Sequence, residues 1–138
     1  MLHGLKIYLC LVPIFFLIDY LWLGKIMSRF YLKELGPMAR ISNDNFDPVI
    51  WAAVIVYLLI PLGIVVFVLP GISDQGFVLP SLRRGMIFGF ILYGVYDMTN
   101  HSLLQSWPIK MSIVDIAWGG FINSVGTLIG KYLDVFFK

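Results

Sequence analysis

Three aspartates interrupt apolar stretches of this 138-residue chain. Asp19, Asp97 and Asp115 each lie in a run of about 18 or more residues that carries no other charge. A bare carboxylate in apolar surroundings is costly, and it takes up a proton, holds a cation or pairs with a basic side chain. The chemistry open to these residues is therefore proton transfer, or the binding of a proton, a metal ion or a cationic substrate. Otherwise they pair with Lys25, Lys110 or an arginine that reaches in from a loop.

Polar and aromatic residues share helix faces with these aspartates, because positions three or four apart lie on the same side of a helix. Trp22 follows Asp19, and Trp118 follows Asp115, at the same spacing. Protonated aspartates can also hydrogen-bond to each other or to Tyr96 and Asn100. The predicted catalytic residues are Asp97, Asp115 and Asp19, and the predicted binding residues are Tyr93, Tyr96, Asn100, His101, Trp118 and Trp22.

A metal site built from Asp97, His101 and Asp115 is an alternative, since an aspartate and a histidine four residues apart on a helix can bind the same metal ion. A histidine near a helix end is more often solvated or hydrogen-bonded, so we predict no metal site. The chain has a single cysteine, Cys10, and lacks phosphate-binding glycine loops, nucleophile elbows and zinc-protease motifs. The sequence therefore indicates no particular cofactor.

Composition and charge gaps define the elements that must position these residues. Hydrophobic residues make up 59% of the chain and charged residues 13%, about half the charged share of a soluble domain. Four apolar runs, at about 7–24, 49–69, 85–104 and 111–130, are long enough to cross a bilayer as helices. The first run is too long for a signal peptide, and no small-residue cleavage pattern follows Trp22. We predict an all-α integral membrane protein, with residues 1–138 forming one four-transmembrane-helix bundle.

The direction of these helices places all three aspartates near one face of the membrane. At 1.5 Å per residue they lie about 6–10 Å below that face, which we call the loop side because the Lys25–Pro48 loop lies there. Residues 26–35 of this loop can form a short interfacial helix. We predict that the aspartates converge on one cavity capped by the loop.

Two further patterns leave alternatives open. Lysines and arginines divide equally between the two faces, five and five, so the positive-inside rule gives no orientation. Gly85-x-x-x-Gly89 and Gly126-x-x-x-Gly130 allow close approach of helices, either within one chain or in a dimer.

Three segments resemble the bacterial membrane proteins grouped as domain of unknown function 2177. They are residues 19–24 (DYLWLG), residues 93–100 (YGVYDMTN), and Trp107-Pro108 followed by residues 115–119 (DIAWG). The resemblance covers nearly the whole chain in the same order, and it implies four membrane helices in a bacterial inner membrane with no established activity. It also implies an association with fatty-acid- and lipid-modifying enzymes. It supplies no catalytic roles.

These observations favour a lipid-modifying enzyme, or an accessory subunit of one, because the aspartates lie near headgroup level rather than at the midplane. One alternative is a small proton- or cation-coupled transporter or flippase. The other is a structural scaffold fastened by interhelical hydrogen bonds of about 0.6–2 kcal/mol each. Expected partners are membrane lipids, with a homodimer or a lipid-enzyme partner as further alternatives. The net charge of +2 is too small to suggest nucleic acid.

Overall fold

The computed structural model describes residues 2–138 and is almost entirely helical within that range. Its elements in chain order are α1 (Leu2–Leu21), α2 (Ser28–Leu35), β1 (Ile41–Ser42), β2 (Asn45–Phe46), α3 (Ile50–Gly63), α4 (Val78–Leu103) and α5 (Ile109–Phe136). Short π-helical turns extend α1 through Trp22–Ile26 and α3 through Ile64–Val68. The strands form a small antiparallel hairpin in the connection between α2 and α3.

Four of these helical segments are long and apolar enough to cross a bilayer, which confirms the predicted four-transmembrane-helix bundle. They are Leu2–Ile26, Ile50–Gly71, Val78–Leu103 and Ile109–Phe136. The helices generally extend past the predicted spans, since α4 begins seven residues before Gly85 and includes Arg83 and Arg84. Cationic side chains can occupy the ends of a membrane helix because their long stems reach the headgroup region.

The helix α5 lies at the centre of the bundle and packs extensively against α4 and α1. Gly85 and Gly89 of α4 bring its backbone into contact with α5, because a Cβ at Gly89 would overlap the carbonyl of Gly119. On the other side of α5, Gly126 leaves room for the ring of Phe15 in α1. The glycine pairs therefore serve helix packing within one chain.

Local backbone rules account for three further features. Pro61 lacks an N–H donor inside α3, and the helix changes to π geometry one turn later at Ile64. The interfacial helix expected at 26–35 is α2, which buries Tyr31. The turn between β1 and β2 uses Asn43 and Asp44, which adopt φ angles of 50° and 60°. Asparagine and aspartate tolerate this left-handed region better than most residues.

Candidate functional site

Asp19 lies in the last turn of α1 and is buried against α5 and α3. The indole Nε1 of Trp118 donates a hydrogen bond to Asp19 Oδ1 at 2.7 Å. The hydroxyl of Tyr57, on α3, faces the same carboxylate from another side. Asp19 therefore joins three of the four transmembrane segments through polar contacts.

The two Asp-x-x-Trp segments pair reciprocally, because α1 and α5 run antiparallel. The ring of Trp22 stacks on that of Trp118 with centroids 4.1 Å apart and planes within 2°. Trp22 Nε1 donates to the hydroxyl of Tyr31 at 3.4 Å, and that hydroxyl donates to Asp115 Oδ1 at 2.8 Å. Each aspartate is therefore linked to the tryptophan of the other segment, directly for Asp19 and through Tyr31 for Asp115.

Asp97 is the most deeply enclosed of the three carboxylates. Its exposed fraction is 0%, and neither carboxylate oxygen has a hydrogen-bond partner among the described residues. Ser112, Asp115 and Trp107 lie around it, and the indole of Trp107 donates instead to Ser112 Oγ at 3.0 Å. Asp97 and Asp115 thus lie side by side, one without a partner and the other held by Tyr31.

No lysine or arginine neutralises this carboxyl cluster, which we define as Asp19, Asp97 and Asp115. Within residues 2–138, none of the three forms a salt bridge. Lys25 lies over the ring of Tyr20, 5.8 Å from its centroid, and Lys110 is exposed. The structure therefore contradicts the alternative that Lys25, Lys110 or a loop arginine pairs with the aspartates.

The predicted binding residues divide into two groups. Tyr93 joins Trp22 and Trp118 at the cluster, since its ring packs on Gly119 and lies near Asp19 and Asp115. Tyr96 and Asn100 lie on another face of α4, where Tyr96 is 58% exposed and contacts Trp107 edge-on.

His101 is also outside the cluster. The stripe of α4 that faces α5 repeats every four residues through the buried Gly85 and Gly89, the half-buried Tyr93 and the buried Asp97, and His101 continues it. At that level α4 has passed the start of α5, and the exposed imidazole instead bonds to the Trp107 carbonyl through Nδ1 at 3.2 Å. No three His, Cys, Asp or Glu side chains in the described part of the chain are placed to hold a metal ion together.

Two tyrosines of the site were missed by the sequence reasoning. Tyr57 is the only hydroxyl-bearing residue in the second predicted span, which was a usable signal. Tyr31 lies on the apolar face of α2, but the sequence does not reveal which membrane helix that face covers. Burial, and after it the charge of Asp115, raise the pKa of Tyr31 above its ordinary value, so its hydroxyl stays a hydrogen-bond donor.

Comparison with known proteins gives one informative result. A family described as predicted membrane protein (DUF2177) matches residues 4–132, which is most of the chain and includes every residue of the carboxyl cluster. No curated protein and no solved structure matches the chain.

Proposed function

The chain belongs to the family of predicted membrane proteins DUF2177, and on that premise we propose that it is a lipid-modifying enzyme or an accessory subunit of one. In this proposal the Asp97–Asp115 pair exchanges a proton with a lipid substrate. The multi-pass membrane fold places the carboxyl cluster beside the lipids of the bilayer.

The observation that carries the proposal is the full burial of Asp97 without a hydrogen-bond partner among the described residues. A buried carboxylate without a donor is costly, and a second carboxyl beside it adds like-charge repulsion when both are ionised. One proton held between Asp97 and Asp115 removes both costs. Such a pair can supply an acid and a base within one site.

The contacts of Asp115 suit it to hold a shared proton in a fixed orientation. Tyr31 occupies Oδ1 of Asp115 with a donated hydrogen bond, so that the carboxyl is oriented while Oδ2 remains available. Asp97, whose exposed fraction is 0%, is then the enclosed partner with which the part-exposed Asp115 shares the proton.

The depth and surroundings of the cluster favour a lipid substrate. Asp115 lies six residues after the start of α5, about 9 Å along the helix axis and thus close to headgroup level. The helix α3 packs on α1, and its other sides are apolar and exposed, as at Trp51 and Leu59. Lipid can therefore approach the region of Tyr57 and Asp19 from within the bilayer.

A lipid comparison tests the proposal directly. Cells that lack the protein are complemented with wild type, with Asp97→Asn, or with Asp47→Asn, an exposed aspartate of the same loop side. We expect wild type and Asp47→Asn to restore a lipid species that Asp97→Asn does not restore, as read by mass spectrometry of total lipids. Immunoblots of membranes confirm equal amounts of each variant. Restoration by Asp97→Asn would contradict the proposal.

A proton- or cation-coupled transporter or flippase is the second candidate, and a different observation favours it. Buried polar atoms without partners continue from Asp97 along the α4–α5 contact, at Asn123, Thr127 and Ser81. This line ends near the buried Lys131 on the opposite side of the membrane. In proteoliposomes with an internal pH dye, a transporter would give proton movement that Asp97→Asn abolishes. A scaffold would give neither lipid change nor proton movement.

A further inference from the structure

A second charged cluster lies on the membrane face opposite the loop side, which we call the terminal side because Leu2 and Lys138 lie there. At its centre is Lys131 of α5, whose exposed fraction is only 2%. The ammonium of Lys131 donates to Asp74 Oδ1 and to Asp134 Oδ2, both at 2.7 Å. An ammonium has three donors, so one donor of Lys131 remains without a protein partner among the described residues.

His3 and Lys138 complete this terminal cluster, which we define as His3, Asp74, Lys131, Asp134 and Lys138. His3 Nε2 lies 2.7 Å from Asp134 Oδ1, and Lys138 Nζ lies 2.7 Å from both oxygens of Asp74. The start of α1, the connection between α3 and α4, and the end of α5 therefore meet here. The two ammonium groups balance the two carboxylates, so the cluster has both signs of charge and little net charge.

A cavity of about 300 Å³ adjoins these charges and is lined by every member of the terminal cluster. Its remaining wall is mainly aliphatic and includes Ile7, Val65, Leu69 and Ile72. The cavity is open on one side, and both the charged groups and the aliphatic wall face it. The cavity is therefore suited to a molecule with one charged end and one apolar end.

We propose that this cavity binds the headgroup region of a zwitterionic membrane lipid that carries one phosphate and one primary amine. The free donor of Lys131 and the half-exposed ammonium of Lys138 would bind the phosphate. The half-exposed carboxylate of Asp74 would accept hydrogen bonds from the amine, and the aliphatic wall would contact the glycerol and the first methylenes of the chains.

The balance of charges argues for this class over the other lipids of a bilayer. An anionic headgroup without an amine would add a negative charge to a cluster whose two ammonium groups are already balanced by Asp74 and Asp134. A lipid without any charge would leave the third donor of the buried Lys131 unpaired. A headgroup with both charges satisfies both requirements. Membrane lipid is also the amphiphile present at the highest concentration at this depth.

The test is lipid binding by the full-length protein, purified in detergent and delipidated, and measured by native mass spectrometry. The probes are phosphatidylethanolamine, phosphatidylglycerol and diacylglycerol with identical chains. We expect phosphatidylethanolamine to bind about tenfold more tightly than either of the others, which corresponds to about 1.4 kcal/mol. Equal binding of diacylglycerol, or of phosphatidylglycerol, would overturn the proposal.

A matched pair of glycine substitutions locates the site without disturbing the ion pairs. Gly4 lines the cavity, and a Cβ there would lie 3.5 Å from Val65 Cγ1, so a leucine side chain must occupy the cavity. A Cβ at Gly94 of α4 meets nothing within 4 Å. Gly4→Leu should weaken phosphatidylethanolamine binding about tenfold or more, while Gly94→Leu should not change it. Unchanged binding by Gly4→Leu would place the lipid elsewhere and overturn the proposal.

Two further measurements identify the chemistry and the source of the ligand. Asp74→Asn removes the negative charge proposed to bind the amine, so it should reduce the preference for phosphatidylethanolamine over phosphatidylglycerol toward unity. Soluble phosphoethanolamine should not displace the lipid at equal concentration, and displacement would assign the cavity to a water-soluble ligand instead. Asp97→Asn should bind lipid like wild type, so this site and the proposed function can fail independently.

Discussion

At the scale of single residues, the carboxyl cluster contains side chains in two different energetic situations. Asp19 receives a strong hydrogen bond from Trp118, and Asp115 receives one from Tyr31. Asp97 receives none, although it is fully buried. A satisfied buried group stabilises the fold, whereas an unsatisfied one costs free energy and calls for a functional reason. Substitutions at these positions should therefore change stability in opposite directions.

Asp97→Asn should stabilise the protein. The neutral amide can donate a hydrogen bond to Asp115 without the proton that the carboxyl pair must take up, so at neutral pH we expect the free energy of unfolding to rise by about 1 kcal/mol. Chemical unfolding in mixed micelles measures this change, with Asp47→Asn as the exposed control. A gain in stability together with loss of the lipid product indicates a functional carboxyl. A clear loss of stability would instead indicate that Asp97 serves the packing of α4 against α5.

Trp118→Phe should destabilise the protein. Phenylalanine keeps an aromatic ring against Trp22 but removes the indole donor, which leaves the buried Asp19 Oδ1 without its bond from Trp118. We expect a loss of about 1–3 kcal/mol in the free energy of unfolding. Trp51→Phe is the matched control because Trp51 is 70% exposed on α3. Equal stability of the two variants would mean that the bond to Asp19 contributes nothing.

At the scale of secondary-structure elements, the glycines of α4 determine how closely that helix approaches α5. Small residues allow helix backbones to touch inside a bilayer, where apolar burial between helices contributes little. The buried stripe of α4 therefore positions Asp97 beside Asp115, since the two helices cannot shift relative to each other without separating. The geometry of the carboxyl pair depends on this contact.

Gly89→Ala should disrupt the contact between α4 and α5. The new methyl group would overlap the backbone of Gly119, which cannot move aside as a flexible side chain can. We expect a loss of about 1–3 kcal/mol in the free energy of unfolding, as in other overpacked sites. Gly94→Ala, on the same helix with open space around it, should be neutral or stabilise by up to about 1 kcal/mol. A similar effect of both substitutions would rule out the close contact.

The sequence was sufficient for the elements and for part of the site. Charge gaps predicted four membrane helices, and the depth of Asp19, Asp97 and Asp115 along them placed the three carboxyls near one face. Helical spacing was too coarse to separate Tyr93 from Tyr96, because a difference of three residues moves a side chain by only 60° around the axis. The contact of Tyr31 with Asp115 depends on how α2 folds back onto the bundle, which no local pattern encodes.

At the scale of the whole molecule, the terminal cluster ties together segments that are far apart in the sequence. Asp74 accepts hydrogen bonds from Lys131 and Lys138, and these bonds lower the pKa of Asp74 from 3.8 to about 2. Because this carboxylate has a lower pKa in the folded state than in the unfolded state, it stabilises the fold at neutral pH. That contribution persists above about pH 4 and is lost as the pH falls toward 2.

Asp74→Asn should therefore reduce the acid sensitivity of the protein. Between pH 6 and pH 4 the difference in melting temperature between wild type and Asp74→Asn should stay constant, and below about pH 4 it should shrink. Thermal unfolding in detergent over this pH series measures the difference. Asp44→Asn, at the exposed hairpin turn, is the control because Asp44 forms no ion pair in the described structure. A constant difference down to pH 2 would contradict the role of the ion pairs.

The pairing of α1 with α5 has a consequence for both faces of the membrane. A single antiparallel alignment of these helices joins Asp19 to Trp118 on the loop side and His3 to Asp134 on the terminal side. Any ligand that prefers a slightly displaced alignment must alter both pairings at once. By thermodynamic linkage, a ligand at one face that favoured such a displacement would change affinity at the other face, reciprocally and by the same factor.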